Sequence, residues 1–189
     1  MLKSLFGNTD SRRSGEALYF AAVAQARQPV FYSELSVPDT VDGRFDMIAT
    51  HVFLILHRLK DGGEDTREIS QALFDAMFGD MDRGLREMGA GDLGVGRRVK
   101  VMAQAFMGRV AAYEVSLNTS DGSLASAVLR NIFRGQEDNR EAANSIARYM
   151  DAQSSALKSH PIEELLEGRI DFAAVSLPAA KDSREAEKS

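Results

Sequence analysis

Residues 44–60, RFDMIATHVFLILHRLK, decide the fold class of this chain. Their apolar side chains recur every three or four residues, as on one face of an α-helix, and further apolar side chains fill the remaining faces. A helix that is apolar on nearly every side lies inside a domain rather than on its surface. The segment therefore predicts a central, buried helix around which the rest of the chain packs.

Helical spacing of apolar residues recurs on both sides of this segment, and no run of four or more residues alternates as a β-strand would. Residues 30–43 are expected to be irregular. The predicted helices span residues 14–28, 44–60, 65–88, 97–117, 123–134 and 138–158, with a short last helix between Pro161 and Gly168. The sequence thus predicts an all-α fold, a single compact helical domain of about seven helices.

The chain has 189 residues, of which 44% are apolar and 27% charged, and this is the length of one domain with a sizeable core. We expect the helical domain to span residues 14–175. Residues 1–13 combine four apolar side chains with three basic ones, and are expected to be either disordered or in contact with an anionic membrane surface. Residues 176–189, rich in alanine, proline and charges, are expected to form a disordered tail.

The composition excludes several classes of protein and of site. Without cysteine, the chain has no disulfide, no thiolate metal site and no cysteine nucleophile. The isolated histidines His51, His57 and His160 lack the spacing of a zinc site, so we expect neither a metal nor a cofactor. A net charge of −5 argues against DNA and generic nucleic-acid binding. No apolar run is long enough to span a membrane and no secretory signal is apparent, which favours a cytoplasmic location.

Residues 89–94, GAGDLG, match the GxGxxG pattern of dinucleotide-binding proteins. That fingerprint requires a preceding strand, which brings the pyrophosphate to the start of a helix. Here a predicted helix precedes the glycines, and Asp92 would put a carboxylate in the anion site. The pattern therefore predicts a tight joint between two helices, spanning residues 89–96, whose glycines permit positive φ.

A strip of charges of both signs precedes this joint. Asp82 and Arg86 lie four residues apart, and Asp80 and Arg83 three apart, spacings that favour ion pairs along one helix. Such pairs are typical of a solvated helix face. A dense strip of mixed charge, extended here by Glu87, is also what a specific polar contact surface would contain.

The basic cluster of Arg97, Arg98 and Lys100 follows the joint, at the predicted start of a helix, where the helix dipole disfavours cations. This placement suggests a partner, which could be RNA, an acidic protein surface or anionic lipid. A solvated face is the alternative interpretation.

The two predicted helices that flank the joint contain five of the eight methionines, namely Met77, Met81, Met88, Met102 and Met107. Thioether side chains fill irregular cores, but they also line adaptable hydrophobic grooves. The second of these helices has one apolar stripe that is expected to face the core, formed by Val99, Met102, Phe106, Val110 and Tyr113.

Residues 80–114, DMDRGLREMGAGDLGVGRRVKVMAQAFMGRVAAYE, resemble the signature of the ubiquinol–cytochrome c chaperone family. The charged strip, the glycine joint, the basic cluster and the Gly108–Arg109 pair occur in the family's order. A weaker similarity extends over roughly two-thirds of the chain. Met107 is a departure, since the family pattern has an aromatic residue before the Gly–Arg pair.

The resemblance implies a non-enzymatic assembly factor that binds newly made cytochrome b and promotes assembly of ubiquinol–cytochrome c reductase (complex III). Mitochondrial members act near the ribosomal tunnel exit with a small partner protein, so the resemblance also implies contact with the ribosome. Contact with the cytoplasmic face of the inner membrane is expected from the apolar and basic residues at the N-terminus instead. The candidate client-binding residues are Asp80, Asp82, Arg86, Glu87, Asp92, Arg97, Arg98 and Lys100, with Met77, Met81, Met88 and Met102 as apolar contacts.

Two other functions stay open at the level of sequence. The apolar central helix with His51 could line a pocket for a small ligand such as a quinone, a lipid or a haem precursor. The basic cluster could instead contact RNA, although the overall charge argues against it.

Overall fold

The computed structural model describes residues 3–89, 91–117, 119 and 121–175, and for residues 3–8, 92 and 93 it describes the backbone alone. Eight α-helices and no β-strand lie within this part of the chain, which confirms the predicted all-α fold. They are α1 (Lys3–Ala26), α2 (Val30–Ser33), α3 (Val41–Leu59), α4 (Arg67–Glu87), α5 (Asp92–Leu117), α6 (Ser123–Ile132), α7 (Arg140–Lys158) and α8 (Ile162–Leu166). All but α2 and α8 have ten or more residues, so six long helices form the domain.

The central helix predicted from residues 44–60 is α3. Thr40 caps its N-terminus, since the Thr40 hydroxyl accepts a hydrogen bond of 3.1 Å from the N–H of Gly43. Side chains of α3 join two groups of buried residues, one shared with α2, α6 and α7 and the other with α1, α4 and α8. α3 is therefore covered on most of its faces, as the sequence predicts.

The start of α1 differs from the prediction. The helix begins at Lys3 rather than at the predicted residue 14, so the backbone of residues 3–13 is helical. Ser11 donates a hydrogen bond of 3.1 Å to Glu68 on α4, and Arg12 pairs with Glu16 one turn later at 3.0 Å. Contacts with α4 thus continue beyond the predicted helix start. Contact of this segment with a membrane stays a prediction, and Met1 and Leu2 lie outside the described residues.

Two other segments are more helical than predicted. Residues 30–33, expected to be irregular, form α2, whose Phe31 is fully buried between α3 and α7. α5 begins at Asp92 rather than at residue 97, and Val95 near its start is buried. The predicted tail, residues 176–189, lies outside the described residues.

α1 and α4 cross closely at Gly15. A Cβ atom at Gly15 would lie 2.5 Å from the Cβ of Ala72, closer than real side chains approach each other. The missing side chain thus lets the two helices pack together, and α4 then presents its other side to α5.

α4 and α5 form a helical hairpin. α4 ends at Glu87, and Gly89 has a φ of +82°, the left-handed conformation that commonly ends a helix. Rings from both helices contact each other below the joint, with 6.0 Å between the centroids of Phe78 and Phe106. The GxGxxG pattern is therefore a tight helix–helix joint, as predicted, and it is shorter than expected because α5 starts at Asp92.

Candidate functional site

The charged strip lies on the exposed side of α4. Asp82 pairs with Arg86 at 2.6 Å, as their four-residue spacing predicts, and both side chains are partly exposed. Asp80, whose spacing to Arg83 favours an ion pair, accepts a hydrogen bond of 2.7 Å from the hydroxyl of Tyr19 on α1. Burial and this bond to Asp80 raise the pKa of Tyr19, so its proton stays in place. Glu87 is exposed at the end of the strip.

The basic cluster lies on the exposed surface of α5. Arg97, Arg98 and Lys100 are all exposed, and none of them forms an ion pair with another described residue. The cluster begins five residues into α5, so the predicted cost from the helix dipole is wrong, because that effect fades within the first turn. The side chain of Asp92 lies outside the described residues.

The four candidate methionines do not form one surface. Met77 is fully buried in the core between α1, α3 and α4, so it offers no contact to a partner. Met81 and Met102 are half-buried against the same core. Met88 is exposed at the joint, and it is the member of the set most accessible to a client.

The predicted core stripe of α5 does face the core, with Phe106 and Tyr113 buried. The opposite side of the helix has exposed apolar residues that are not among the predicted site residues, namely Val101, Met107 and Val115. Their signal in the sequence is the run of residues 101–113, VMAQAFMGRVAAY, in which Arg109 is the one charged residue.

Arg109 points inward and binds a buried carboxylate. Its guanidinium lies 2.5 Å from the Asp46 carboxylate of α3, which has no exposed surface, and 5.3 Å from the centroid of the Phe45 ring. Arg134, which follows α6, lies 2.8 Å from the other carboxylate oxygen of Asp46. Burial raises the pKa of Asp46, and the two arginines oppose that shift. Sequence reasoning missed this cluster because 63 residues separate Asp46 from Arg109.

His51 is enclosed by α3, α7 and the C-terminal segment. Its Nδ1–H donates to the Met47 carbonyl at 2.8 Å, and its Nε2 accepts a bond of 2.8 Å from the Tyr149 hydroxyl. Rings of Phe31 and Phe172 contact the imidazole edge-on at 5.5 and 5.3 Å. Burial lowers the pKa of His51 to about 4, so the ring is neutral. With both nitrogens bonded within the protein, His51 gives no support to the small-ligand hypothesis.

His51 does not line either of two grooves on the described surface. One, of about 940 Å³, runs between α1 and α4, and the other, of about 470 Å³, lies between α5, α6 and α7. Within the described residues, no group of three histidine or acidic side chains could hold a metal ion. Nor is any helix of that part of the chain long and apolar enough to cross a membrane.

Curated relatives are named as assembly factors. Ubiquinol-cytochrome c reductase complex assembly factor 1 of Drosophila melanogaster is 25% identical over 166 residues, which cover 84% of this chain and 64% of that protein. Protein CBP3, mitochondrial, of Saccharomyces cerevisiae is 27% identical over 147 residues, covering 75% of this chain and 44% of that protein. The chain thus spans less than two-thirds of the length of either relative.

A solved structure has the same fold over nearly its whole length. The crystal structure of the Cbp3 homolog from Brucella abortus matches with a TM-score of 0.80 and 36% identity, covering 93% of this chain and 98% of that one. The family model described as Ubiquinol-cytochrome C chaperone matches residues 33–172, which include the α4–α5 hairpin and the buried Asp46–Arg109 pair. The chain therefore belongs to the ubiquinol-cytochrome C chaperone family, as its sequence signature predicts.

Proposed function

We propose that this protein is a non-enzymatic assembly factor that binds newly made cytochrome b and promotes assembly of ubiquinol–cytochrome c reductase. Membership of the chaperone family and the names of the relatives support the assembly role. The observation that supports client binding most directly is the α4–α5 hairpin, where exposed apolar side chains lie beside charges of both signs.

The hairpin has the two properties that holding an unassembled membrane protein requires. Exposed Met88 and Val101 offer apolar contact to client helices, and thioethers adapt to different shapes. Asp82, Arg86 and the basic cluster supply polar groups that can orient a client. Because an exposed pair such as Asp82–Arg86 contributes about 0–1 kcal/mol, exchanging it for client contacts costs little.

The chemistry of the buried groups supports a binding role rather than catalysis. Tyr19, His51 and Tyr149 have large pKa shifts and form hydrogen bonds within the protein, and Tyr113, whose pKa burial also raises, is fully buried. Burial lowers the pKa of His51 and raises that of Tyr149, and the two side chains bond to each other. Among these groups Tyr19 reaches the charged strip, where its hydroxyl is held as a donor to Asp80, so the shifted groups stabilise the fold instead of meeting a substrate.

We propose that the protein acts in the cytoplasm, where it contacts the cytoplasmic face of the inner membrane while its client is inserted. Exposed Arg12 and Arg13 on α1 could approach anionic headgroups there. Contact with the ribosomal tunnel exit or with a small partner protein stays a prediction.

Deletion of the gene tests the proposal. We expect lower steady-state cytochrome b and ubiquinol–cytochrome c reductase, while unrelated membrane complexes keep their levels. Normal levels of both in the deletion strain would contradict the proposed function.

Complementation of the deletion strain then tests whether the basic cluster is part of the client-binding surface. A variant with Arg97, Arg98 and Lys100 changed to Glu should fold but fail to restore the reductase. A matched variant with Arg27, Arg130 and Lys158 changed to Glu has the same net charge, alters exposed residues elsewhere, and should restore it. Equal restoration by both variants would remove the basic cluster from the client surface.

A further inference from the structure

One side of α5 is exposed, apolar and without a partner among the described residues. We call it the outer α5 face and define it by Val101, Ala105, Gly108, Ala111 and Val115, whose spacing of three and four residues puts them on one side of the helix. Val101 is 57% exposed and Val115 68%. At 1.5 Å per residue, the face is about 20 Å long, which matches four turns of a second helix.

The outer α5 face contains no exposed charge. Between Val101 and Tyr113 the one charged residue is Arg109, and its side chain is turned away to the buried Asp46. The exposed sides of other helices differ, since α4 presents Asp82 and Arg86, and α7 presents Arg148 and Asp151. Charged residues normally cover the solvent side of a surface helix. Here exposed charge is absent along four turns, and Gln104 is the one exposed polar side chain between Val101 and Val115, which indicates a contact surface.

The middle of this face is flat. Nothing lies within 4 Å of the position a Cβ atom would take at Gly108, and alanines flank it on both sides. Small residues on a flat helix face let a second helix pack closely, with about 8 Å between the two helix axes. Valines at the two ends of the face would then contact the sides of that helix.

The outer α5 face has a cluster of positive charges at its N-terminal end. Arg97, Arg98 and Lys100 are exposed at its N-terminal end, and no described residue pairs with them. An occupant that is apolar along its length and acidic at one end would complement this arrangement. A membrane surface fits less well, because lipid-binding helices distribute their cations along the whole polar face.

We propose that the outer α5 face binds one apolar helix of the client, oriented by acidic residues that flank the helix and meet the basic cluster. This inference rests on the proposed function and specifies the segment recognised. A single helix contact buries on the order of 300 Å² per partner, well below the roughly 800 Å² of a stable interface, so the area favours a transient client over a second copy of this chain.

Synthetic peptides test the inference with the full-length protein. Two fluorescein-labelled helical peptides of leucine, alanine and glutamine would have either two glutamates or two lysines at one end. We expect fluorescence anisotropy to give a Kd at least tenfold lower for the glutamate peptide in low salt. Changing Arg97, Arg98 and Lys100 to Glu should reverse that preference. Equal Kd values for the two peptides would overturn the proposal that the basic cluster orients the client helix.

Three substitutions locate the binding surface. Val101→Glu and Val115→Glu should each raise the Kd at least tenfold, whereas Val41→Glu, at a 67% exposed valine on α3, should leave it unchanged. Gly108→Leu adds apolar surface but holds a docked helix away, so it should also weaken binding. Tighter binding by Gly108→Leu, or equal effects at Val41 and Val115, would overturn the proposal, because both indicate nonspecific adhesion. Circular dichroism melts would verify that each variant is folded.

Other occupants give different results, and each would overturn the inference. Binding to phosphatidylglycerol vesicles but not to the peptides, lost in Val101→Glu, would assign the face to a membrane. Concentration-dependent dimers lost in Val115→Glu would assign it to a second copy. Normal complementation of the deletion strain by Val101→Glu/Val115→Glu would refute this inference alone, whereas unchanged cytochrome b on gene deletion would refute the proposed function alone.

Discussion

α3 and α5 are both long helices rich in apolar residues, but they differ in what covers them. The apolar side chains of α3 meet neighbours on both sides, and Val52, Phe53 and Leu54 are all buried. α5 contacts the core with one side and leaves Val101 and Val115 exposed on the other. Apolar content alone therefore does not separate a core helix from a contact helix. The number of neighbours that the fold supplies makes the difference.

Ion pairs of the core and of the hairpin surface also differ in how much of them the fold covers. Asp46 and Arg109 join α3 to α5 inside the protein, where the pair fixes the rotation of α5 and thus the direction of its outer face. Asp82 and Arg86 form an exposed pair within α4, where water competes for both groups. The buried pair supports the shape of the binding surface, and the exposed pair can exchange partners.

Substitution of Arg109 should have the largest effect on stability. Arg109→Met leaves the buried Asp46 carboxylate with only the partly exposed Arg134, and we expect the free energy of unfolding to fall by about 3–5 kcal/mol. Arg86→Met, the control for an exposed pair, should cost about 0–1 kcal/mol. Urea unfolding followed by circular dichroism measures both. Similar small losses in the two variants would show that the buried pair does not hold α5 in place.

The pH dependence of stability tests the burial of His51 on α3. His51 has an ordinary pKa of 6.5 when unfolded and, because burial disfavours its charged form, a pKa of about 4 when folded. As pH falls from 6.5 to 4, the unfolded chain binds a proton at His51 that the folded protein does not, so stability decreases by about 3 kcal/mol. The contribution of His51 to this pH dependence fades as pH rises through 6.5 and is negligible well above that value.

His51→Gln isolates this contribution. Urea unfolding between pH 7 and 4 should give the variant a flatter loss of stability than the parent. Burial raises the pKa of Asp46, an effect of opposite sign, but Asp46 is present in both proteins and cancels in the comparison. Parallel curves for the two proteins would mean that His51 is not held neutral in the core.

Substitution of two glycines by alanine should change the stability in opposite directions, and by less than the substitutions above. Gly15→Ala forces α1 and α4 apart where they cross, and overpacking of this kind costs about 1–3 kcal/mol. Gly108→Ala meets nothing and replaces a poor helix former, so it should stabilise the domain by up to about 1 kcal/mol. Thermal melts measure both. Destabilisation by Gly108→Ala would mean that the outer α5 face is already covered within the protein.

The helices could be predicted from the sequence because each has its own apolar pattern. Residues 44–60 correctly predict α3 as the central helix, and the stripe with Phe106 and Tyr113 correctly predicts the side of α5 that faces the core. Helix ends were less predictable. α1 begins before residue 14, and Ser11 in its early part bonds to Glu68 on α4. α5 begins at Asp92, and Val95 near its start is buried. No local pattern in the sequence reveals such contacts.

The candidate surface could be predicted only in part. The spacing of Asp82 and Arg86 correctly indicates their ion pair, and the charged strip is exposed. Met77 has the same chemistry and spacing as its neighbours, yet it faces the core, because its position depends on how α4 rotates against α1 and α3. The inward turn of Arg109 depends on Asp46, which is distant in sequence and becomes its neighbour only in the folded domain.

Site-specific photo-crosslinking in cells tests most directly whether the α4–α5 hairpin contacts newly made cytochrome b. A photoreactive amino acid at Arg98 or Val101 would be activated during synthesis of the client, with Val41 on α3, which is also exposed, as the matched control. We predict crosslinks to cytochrome b from Arg98 and Val101 and none from Val41. Absence of cytochrome b from the crosslinks at Arg98 and Val101, or equal yields from Val41, would contradict the account.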